Sequence, residues 1–191
     1  MDSKLVSLLK ENKKIVTVSS SNLPTSRKDS EIVGRFIKYL TIPYAKKYLE
    51  MVIEKKIAIP YYRYKKKQAH HKNVMGKVPY GRYPIKVSKY FIKLLNSLEN
   101  NAKNLGLDPN KVVIVSVNVS KGDKFPGRLR VVKVKTGPNG VRRTLIVVHK
   151  KASHIKIYGL YLESLDTSKK LKRKSLKQIV KQIIEEWHQK I

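Results

Sequence analysis

The stretch PYYRYKKKQAHHKNVMGKVPYGRYP, residues 60–84, sets tyrosines among arginines and lysines, with His70 and His71 side by side. Aromatic rings stack on nucleobases and cations pair with phosphates, so this mixture suits an irregular or single-stranded nucleic acid. The stretch has no hydrophobic periodicity and is long for a loop inside a compact domain, which marks it as functional. About half of its tyrosines are expected to pack on the core instead, as buried tyrosines commonly do.

Residues for a reaction or a metal are not assembled in the same way. The acids are outnumbered, 13 Asp and Glu against 43 Lys and Arg. Glu50 with Glu54, and Glu185 with Glu186, fall on helical patterns, where charges face solvent. His149 and His154 lie five residues apart on an extended arm with no acid nearby, a poor ligand spacing. His70 and His71 sit among lysines, which lower their affinity for protons and metal cations alike. A two-metal nuclease needs clustered carboxylates. No H-E-x-x-H, no phosphate-cradling glycine loop and no G-x-S-x-G occurs. The expectation is a non-enzyme with no cofactor and no metal.

Charge points the same way. The formal net charge is +30 over 191 residues. Self-repulsion on that scale opposes a compact state unless counter-charge arrives from outside. The chain is long enough for one domain with appendages or two small ones. A membrane surface is one polyanion, but no apolar run approaches the roughly 18 residues of a spanning helix. The opening MDSKLVSLLKENKK resembles neither a secretory signal nor a transit peptide. Cysteine is absent, so disulfides and thiolate zinc sites are excluded, which fits a reducing cytosol. Nucleic acid is the partner these features favour.

These cations need a scaffold. Residues 1–13 suit a short helix with Leu5, Leu8 and Leu9 on one side, and KIVTVSSS reads as a β-branched strand. Ser26 as N-cap, with Asp29 three residues on, opens a helix whose stripe is Ile32, Val33, Phe36, Ile37 and Leu40. Thr41 and Pro43 start a second, striped by Ala45, Tyr48, Leu49, Val52 and Ile53, that stops before Pro60. The strongest helical pattern runs from Pro84 to Leu105, with Val87, Phe91, Leu94, Leu95, Leu98, Ala102 and Leu105 on one face and Gly106 as its stop. Lys86, Lys89 and Lys93 crowd its amino end against the helix dipole, so their position matters more than helix stability.

KVVIVSVNVS alternates Val113, Val115, Val117 and Val119 with Ser116, Asn118 and Ser120, the pattern of a half-buried antiparallel strand. From Arg130 to Lys151, RVVKVKTGPNGVRRTLIVVHKK predicts two cationic strands about a turn at Thr136 to Gly140. A lone hairpin is marginal in water, so this one needs a surrounding partner. SHIKIYGLYLES changes apolar parity at Gly159, from Ile155 and Ile157 to Leu160 and Leu162, which predicts a bulge. A basic linker then leads to a helix opened by a Ser175–Gln178 capping box and striped by Leu176, Ile179, Val180, Ile183, Ile184, Trp187 and Ile191. That helix is expected to dock on its own domain or on a partner protein rather than on a membrane.

The fold class is α/β in the α+β sense: three core helices packed on a small antiparallel sheet, with a long protruding β-hairpin and a C-terminal helical extension. Residues 1–13 form an N-terminal extension, 14–166 the globular domain with its hairpin arm at about 120–153, and 167–191 the basic linker and amphipathic helix.

AKKYLEMVIEKKIAIPYYRY is similar to the second helix and Pro-x-x-Arg-Tyr loop of a known family, with Pro60, Arg63 and Tyr64 on the motif. GRYPIKVSKYFIKLLNSLENNAKNLGLD resembles the same family at Gly81, Arg82, Tyr83, Pro84, Lys86, Leu94, Leu95, Glu99, Asn101, Ala102, Gly106, Leu107 and Asp108. The family is that of the universal large-subunit ribosomal protein numbered twenty-two, in its archaeal and eukaryotic branch, where the eukaryotic member is number seventeen. The likeness spans residues 14–163 in the order strand, helix, helix, loop, helix, strand, hairpin, strand. It implies a cytoplasmic, ribosome-bound structural protein seated on large-subunit ribosomal RNA beside neighbouring large-subunit proteins. It also implies a hairpin that lines the tunnel where the nascent polypeptide leaves. The Pro-Arg-Ala-x-Gly-Arg tip usual in the family is missing; KFPGRLR and TGPNGVRR stand in that region of a longer hairpin.

On this reading Arg63, Tyr64, Lys65, Lys66, Lys67, His70, His71, Arg82, Lys86 and Lys89 form the RNA face of the domain. Arg128, Arg130, Lys133, Lys135, Arg142, Arg143, Lys150 and Lys151 clothe the hairpin. The competing reading is an architectural DNA-binding protein that inserts the basic β-arm into a groove.

Overall fold

The computed structural model describes residues 15–65, 68–74, 78–135, 141–163 and 175–182. The expected N-terminal helix, Lys66, Lys67, the hairpin turn, the basic linker and the last turns of the C-terminal helix lie outside these residues.

Strand β1 (Ile15–Leu23) leads into helices α1 (Arg27–Ile37) and α2 (Ile42–Ile53). Two short strands, β2 (Ile59–Pro60) and β3 (Gly81–Arg82), bracket the tyrosine-rich loop before helix α3 (Ile85–Asn104). After a 3-10 turn (Pro109–Lys111) come β4 (Val112–Lys121), β5 (Leu129–Lys135), β6 (Val141–Val147) and β7 (Ser153–Tyr161). A final helix, α4, covers residues 175–182. The main sheet has the order β1-β7-β4, antiparallel throughout, so the last strand is central.

Helices α1 to α3 pack on one face of this sheet. Ile32, Val33 and Ile37 of α1, Leu49 and Val52 of α2, and Phe91, Leu95 and Leu98 of α3 meet Val16, Ile114, Ile155 and Ile157 in one buried core. Gly34 allows α1 to lie close on β4, because a Cβ there would fall 2.8 Å from Val117 Cγ1. Helix α3 ends where expected. Gly106 takes φ +70°, and the amides of Gly106 and Leu107 donate to the carbonyls of Lys103 and Ala102, each at 2.9 Å. Its buried stripe stops at Ala102, however, and Leu105 is exposed, since the chain has already turned away from the sheet.

The other face of the sheet is also covered. Val113, Val115, Leu160 and Leu162 form a second cluster with Leu176 and Val180 of α4. This cover explains two departures from the sequence expectation. Strand β7 keeps its register with β1 through Gly159, so the parity change there is no bulge: Leu160 and Leu162 simply face the second cluster. The irregularity lies instead on β4, between Ile114 and Ser116, where the extra residue re-phases the strand. Val113 and Val115 therefore face α4, while Val117 and Val119 face the helical layer, rather than all four sharing one side.

Candidate nucleic-acid interface

The tyrosine-rich loop is tied down at many points. Ile59 pairs with Arg82 and Pro60 with Gly81; His70 bridges to Tyr80, and the Tyr61 amide donates to the Tyr80 carbonyl at 3.2 Å. Two acids on α1 hold it from the side. Tyr61 Oη donates to Asp29 Oδ1 at 3.0 Å, and Tyr64 Oη to Glu31 Oε2 at 3.0 Å, where Arg63 also approaches at 3.4 Å. Asp29 thus serves Tyr61, and Ser26, though at the N-cap position of α1, makes no side-chain cap. Burial, reinforced by the Asp29 carboxylate, pushes the Tyr61 phenol well above its ordinary range.

The loop tyrosines divide by role. Tyr61 is buried, Tyr64, Tyr80 and Tyr83 are half-buried, and Tyr62 is exposed. Several cations lie on the rings themselves: Lys28 over Tyr64 at 5.0 Å, Lys65 over Tyr80 at 5.7 Å and Arg82 over Tyr61 at 5.6 Å. His70 and His71 meet Tyr80 and Tyr83 edge-on. Much of the interleaving read from the sequence thus goes into contacts between cations and rings within the surface itself. Tyr64, with its hydroxyl on Glu31 and its ring under Lys28, belongs to that framework.

A second set of cations gathers at the hairpin root. Two grooves flank it. One, of about 650 Å³, is lined by the starts of α1 and α3, by Tyr83 and Lys86, and by Lys150 and Lys151. The other, of about 560 Å³, is lined by Arg27, Lys28, Lys121, Lys124, His149 and the same Lys150–Lys151 pair. Neither α1 nor α3 has a side-chain cap, and α3 has no acid in its first turn. The amide dipole of α3 therefore adds to the positive potential there, whereas Asp29 in the first turn of α1 offsets that of α1. Lys89 is exposed one turn beyond Lys86 on the same helix.

The root itself is clamped. Asn22 and Asp123 exchange hydrogen bonds at 2.7 and 3.1 Å, the Asn22 backbone N–H donates to His154 Nδ1 at 3.1 Å, and Thr25 and Ser153 share a buried bond of 2.6 Å. Beyond it, the Phe125–Lys150 bridge and the Val148 amide on the Arg128 carbonyl carry the pairing into the two-stranded ribbon β5–β6. Arg128 and Arg130 are exposed on this ribbon. The register sets Lys133 opposite Arg143 and Lys135 opposite Val141, with Arg142 facing Val134.

Sequence-predicted residues thus fall in three places: Arg63, Lys65, His70, His71 and Arg82 on the loop, Lys86, Lys89, Lys150 and Lys151 at the root, and the remaining hairpin cations along the ribbon. Sequence reasoning passed over Arg27, Lys28, Lys121 and Lys124. The pairs Arg27–Lys28 and Lys121–Lys124 lie far from each other in the chain, and nothing in their spacing separates them from ordinary surface charge. Among the described residues no group of three His, Asp or Glu could hold a metal, and no helix is long and apolar enough to cross a membrane.

The model of the family described as "Ribosomal protein L22p/L17e" matches residues 18–158. Curated relatives agree. "Large ribosomal subunit protein uL22" of Nanoarchaeum equitans is 34% identical over 169 residues, covering 86% of this chain and 89% of that protein. The protein of the same name from Pyrobaculum islandicum is 44% identical over 115 residues, covering 60% of this chain and 62% of its own length. That from Ignicoccus hospitalis is 42% identical over 101 residues, 52% of this chain and 64% of its own.

Proposed function

The chain belongs to the L22p/L17e family of ribosomal proteins, and from that premise we propose that it is a structural constituent of the large ribosomal subunit. It binds large-subunit RNA through the loop and root cations and sends its ribbon inward to line the polypeptide exit tunnel. No reaction of its own is assigned to it.

The observation that carries this reading is the state of the ribbon. Leu129 and Val131 are 64% and 61% exposed, and Lys133 stands opposite Arg143. Exposed aliphatics, and like charges paired across strands, disfavour an isolated two-stranded ribbon. Enclosure by RNA answers both: phosphates neutralise the cations, and the apolar positions leave water. The clamped root fixes the direction in which the ribbon leaves the domain. Shape and phosphate contacts then supply the affinity, with counterion release making it steeply salt-dependent.

The test is sedimentation of the native protein. It should travel with the large subunit at moderate salt and leave it only at high salt. Recovery in the light fractions alone, at moderate salt, refutes the reading.

A further inference from the structure

The groove between the starts of α1 and α3 has features that phosphate pairing alone does not require. Its rim carries Lys86, Lys150 and Lys151, while Tyr83, Ile85 and Val87 supply an aromatic and aliphatic lining. We propose that this groove receives one unstacked RNA nucleotide, its base against Tyr83 and Ile85 and its flanking phosphates on the three lysines. The inference rests on the RNA-binding reading above and deepens it, by naming the ligand of one part of that surface.

Size and chemistry decide between occupants. A lone phosphate needs neither an apolar floor nor about 650 Å³ of space. That volume lies within the roughly 300–1,000 Å³ of pockets that hold small organic ligands. An apolar peptide side chain would suit the floor but would leave three cations around it unanswered. Among the described residues none of the three lysines is held in an ion pair. The one acid in the lining, Asp29, already accepts the hydrogen bond of Tyr61. A nucleotide splayed from its helix offers a flat base and flanking phosphates together, and folded RNA is commonly recognised in this way.

The walls are preorganised. Helices α1 and α3 are anchored in the core, His71 packs edge-on against Tyr83 at 5.3 Å, and the Lys150 amide is bonded to the Phe125 carbonyl at 2.9 Å. Little ordering is therefore left to do when a ligand enters.

The test uses the full chain bound to transcribed large-subunit RNA, irradiated with ultraviolet light, digested to nucleotides and mapped by mass spectrometry. A mononucleotide adduct within residues 83–87 is expected. Ile85→Glu, which puts a carboxylate on the floor, should lower that adduct by roughly tenfold while hairpin adducts persist. Lys151→Gln, at an exposed position where the fold is not at stake, should lower it severalfold. Adducts on the hairpin or on residues 63–65 with none at 83–87 overturn the groove assignment and leave RNA binding standing. An adduct at 83–87 undiminished by either substitution also overturns it. Adducts nowhere on the chain refute the RNA-binding reading itself.

Discussion

Truncating the anchor of α4 tests whether the outer face of the sheet is part of the folded protein. Leu176 is 3% exposed and Val180 1%, and they lie on Val113, Val115, Leu160 and Leu162. Removing a leucine side chain from such a site costs about 2–5 kcal/mol, the transfer of its methyl groups plus the cavity they leave. The lower half of that range applies here. Most of the stability of an amphipathic helix comes from the face it packs, so α4 detaches once its docking is weakened, and the loss cannot exceed the docking free energy. Leu176→Ala should therefore cost about 2–3 kcal/mol. For a chain of this size that corresponds to a fall in Tm of roughly 5–10 °C. The same ceiling makes Leu176→Ala with Val180→Ala less damaging than the sum of the two single changes. The assay is thermal and urea unfolding of the purified chain in about 0.5 M salt, which screens its self-repulsion. Leu98→Ala, in the helical-side core, serves as the positive control. A loss under about 0.5 kcal/mol for Leu176→Ala, beside a large loss for Leu98→Ala, refutes the docked helix.

Three further outcomes can be checked in the same way. Tyr61→Phe removes the 3.0 Å bond to Asp29 and should cost about 1–2 kcal/mol in urea unfolding. Because the folded phenol titrates above its unfolded value of 10.0, the wild-type advantage should be constant below pH 10 and shrink as pH rises beyond it. Glu99 accepts from Lys46 and, at 2.9 Å, from Lys103, which hold its carboxyl below the ordinary 4.5. The stability difference between wild type and Glu99→Gln should therefore be full above pH 4.5 and vanish as pH falls through the lowered value, as read by unfolding curves. At Gly127 a Cβ would fall 2.1 Å from the Val148 carbonyl oxygen, so Gly127→Ala should force the ribbon base apart. Hydrogen exchange at the Val148 amide should rise at least tenfold, with the domain's Tm little changed.

The three-helix layer was legible from the chain because periodicity records which side of a helix must leave water. Phe91, Leu95 and Leu98 repeat at helical spacing and are buried together, and Gly106 could be read as a stop because few other residues tolerate a left-handed turn. Helix α4 carried its stripe in the same way, but the stripe does not name its partner. Only the tertiary structure seats Leu176 and Val180 on the sheet, and that cover is why the β4 and β7 patterns were misread as one half-buried face and a bulge at Gly159.

The interface divides along the same line. Composition by itself determined that the chain carries a large excess of positive charge, which favours an anionic partner, because net charge is a sum over residues and does not depend on how they are arranged. Which cations lie together was decided by tertiary structure alone. Lys86 and Lys150 are 64 residues apart in the chain, yet they line one groove because α3 and the hairpin root meet beside α1. Which tyrosines remain open was settled there too, since Asp29 and Glu31 take up Tyr61 and Tyr64 through hydrogen bonds spanning more than thirty residues. Local spacing encodes the burial of one element's face. Convergence between distant segments exists only once the chain has folded.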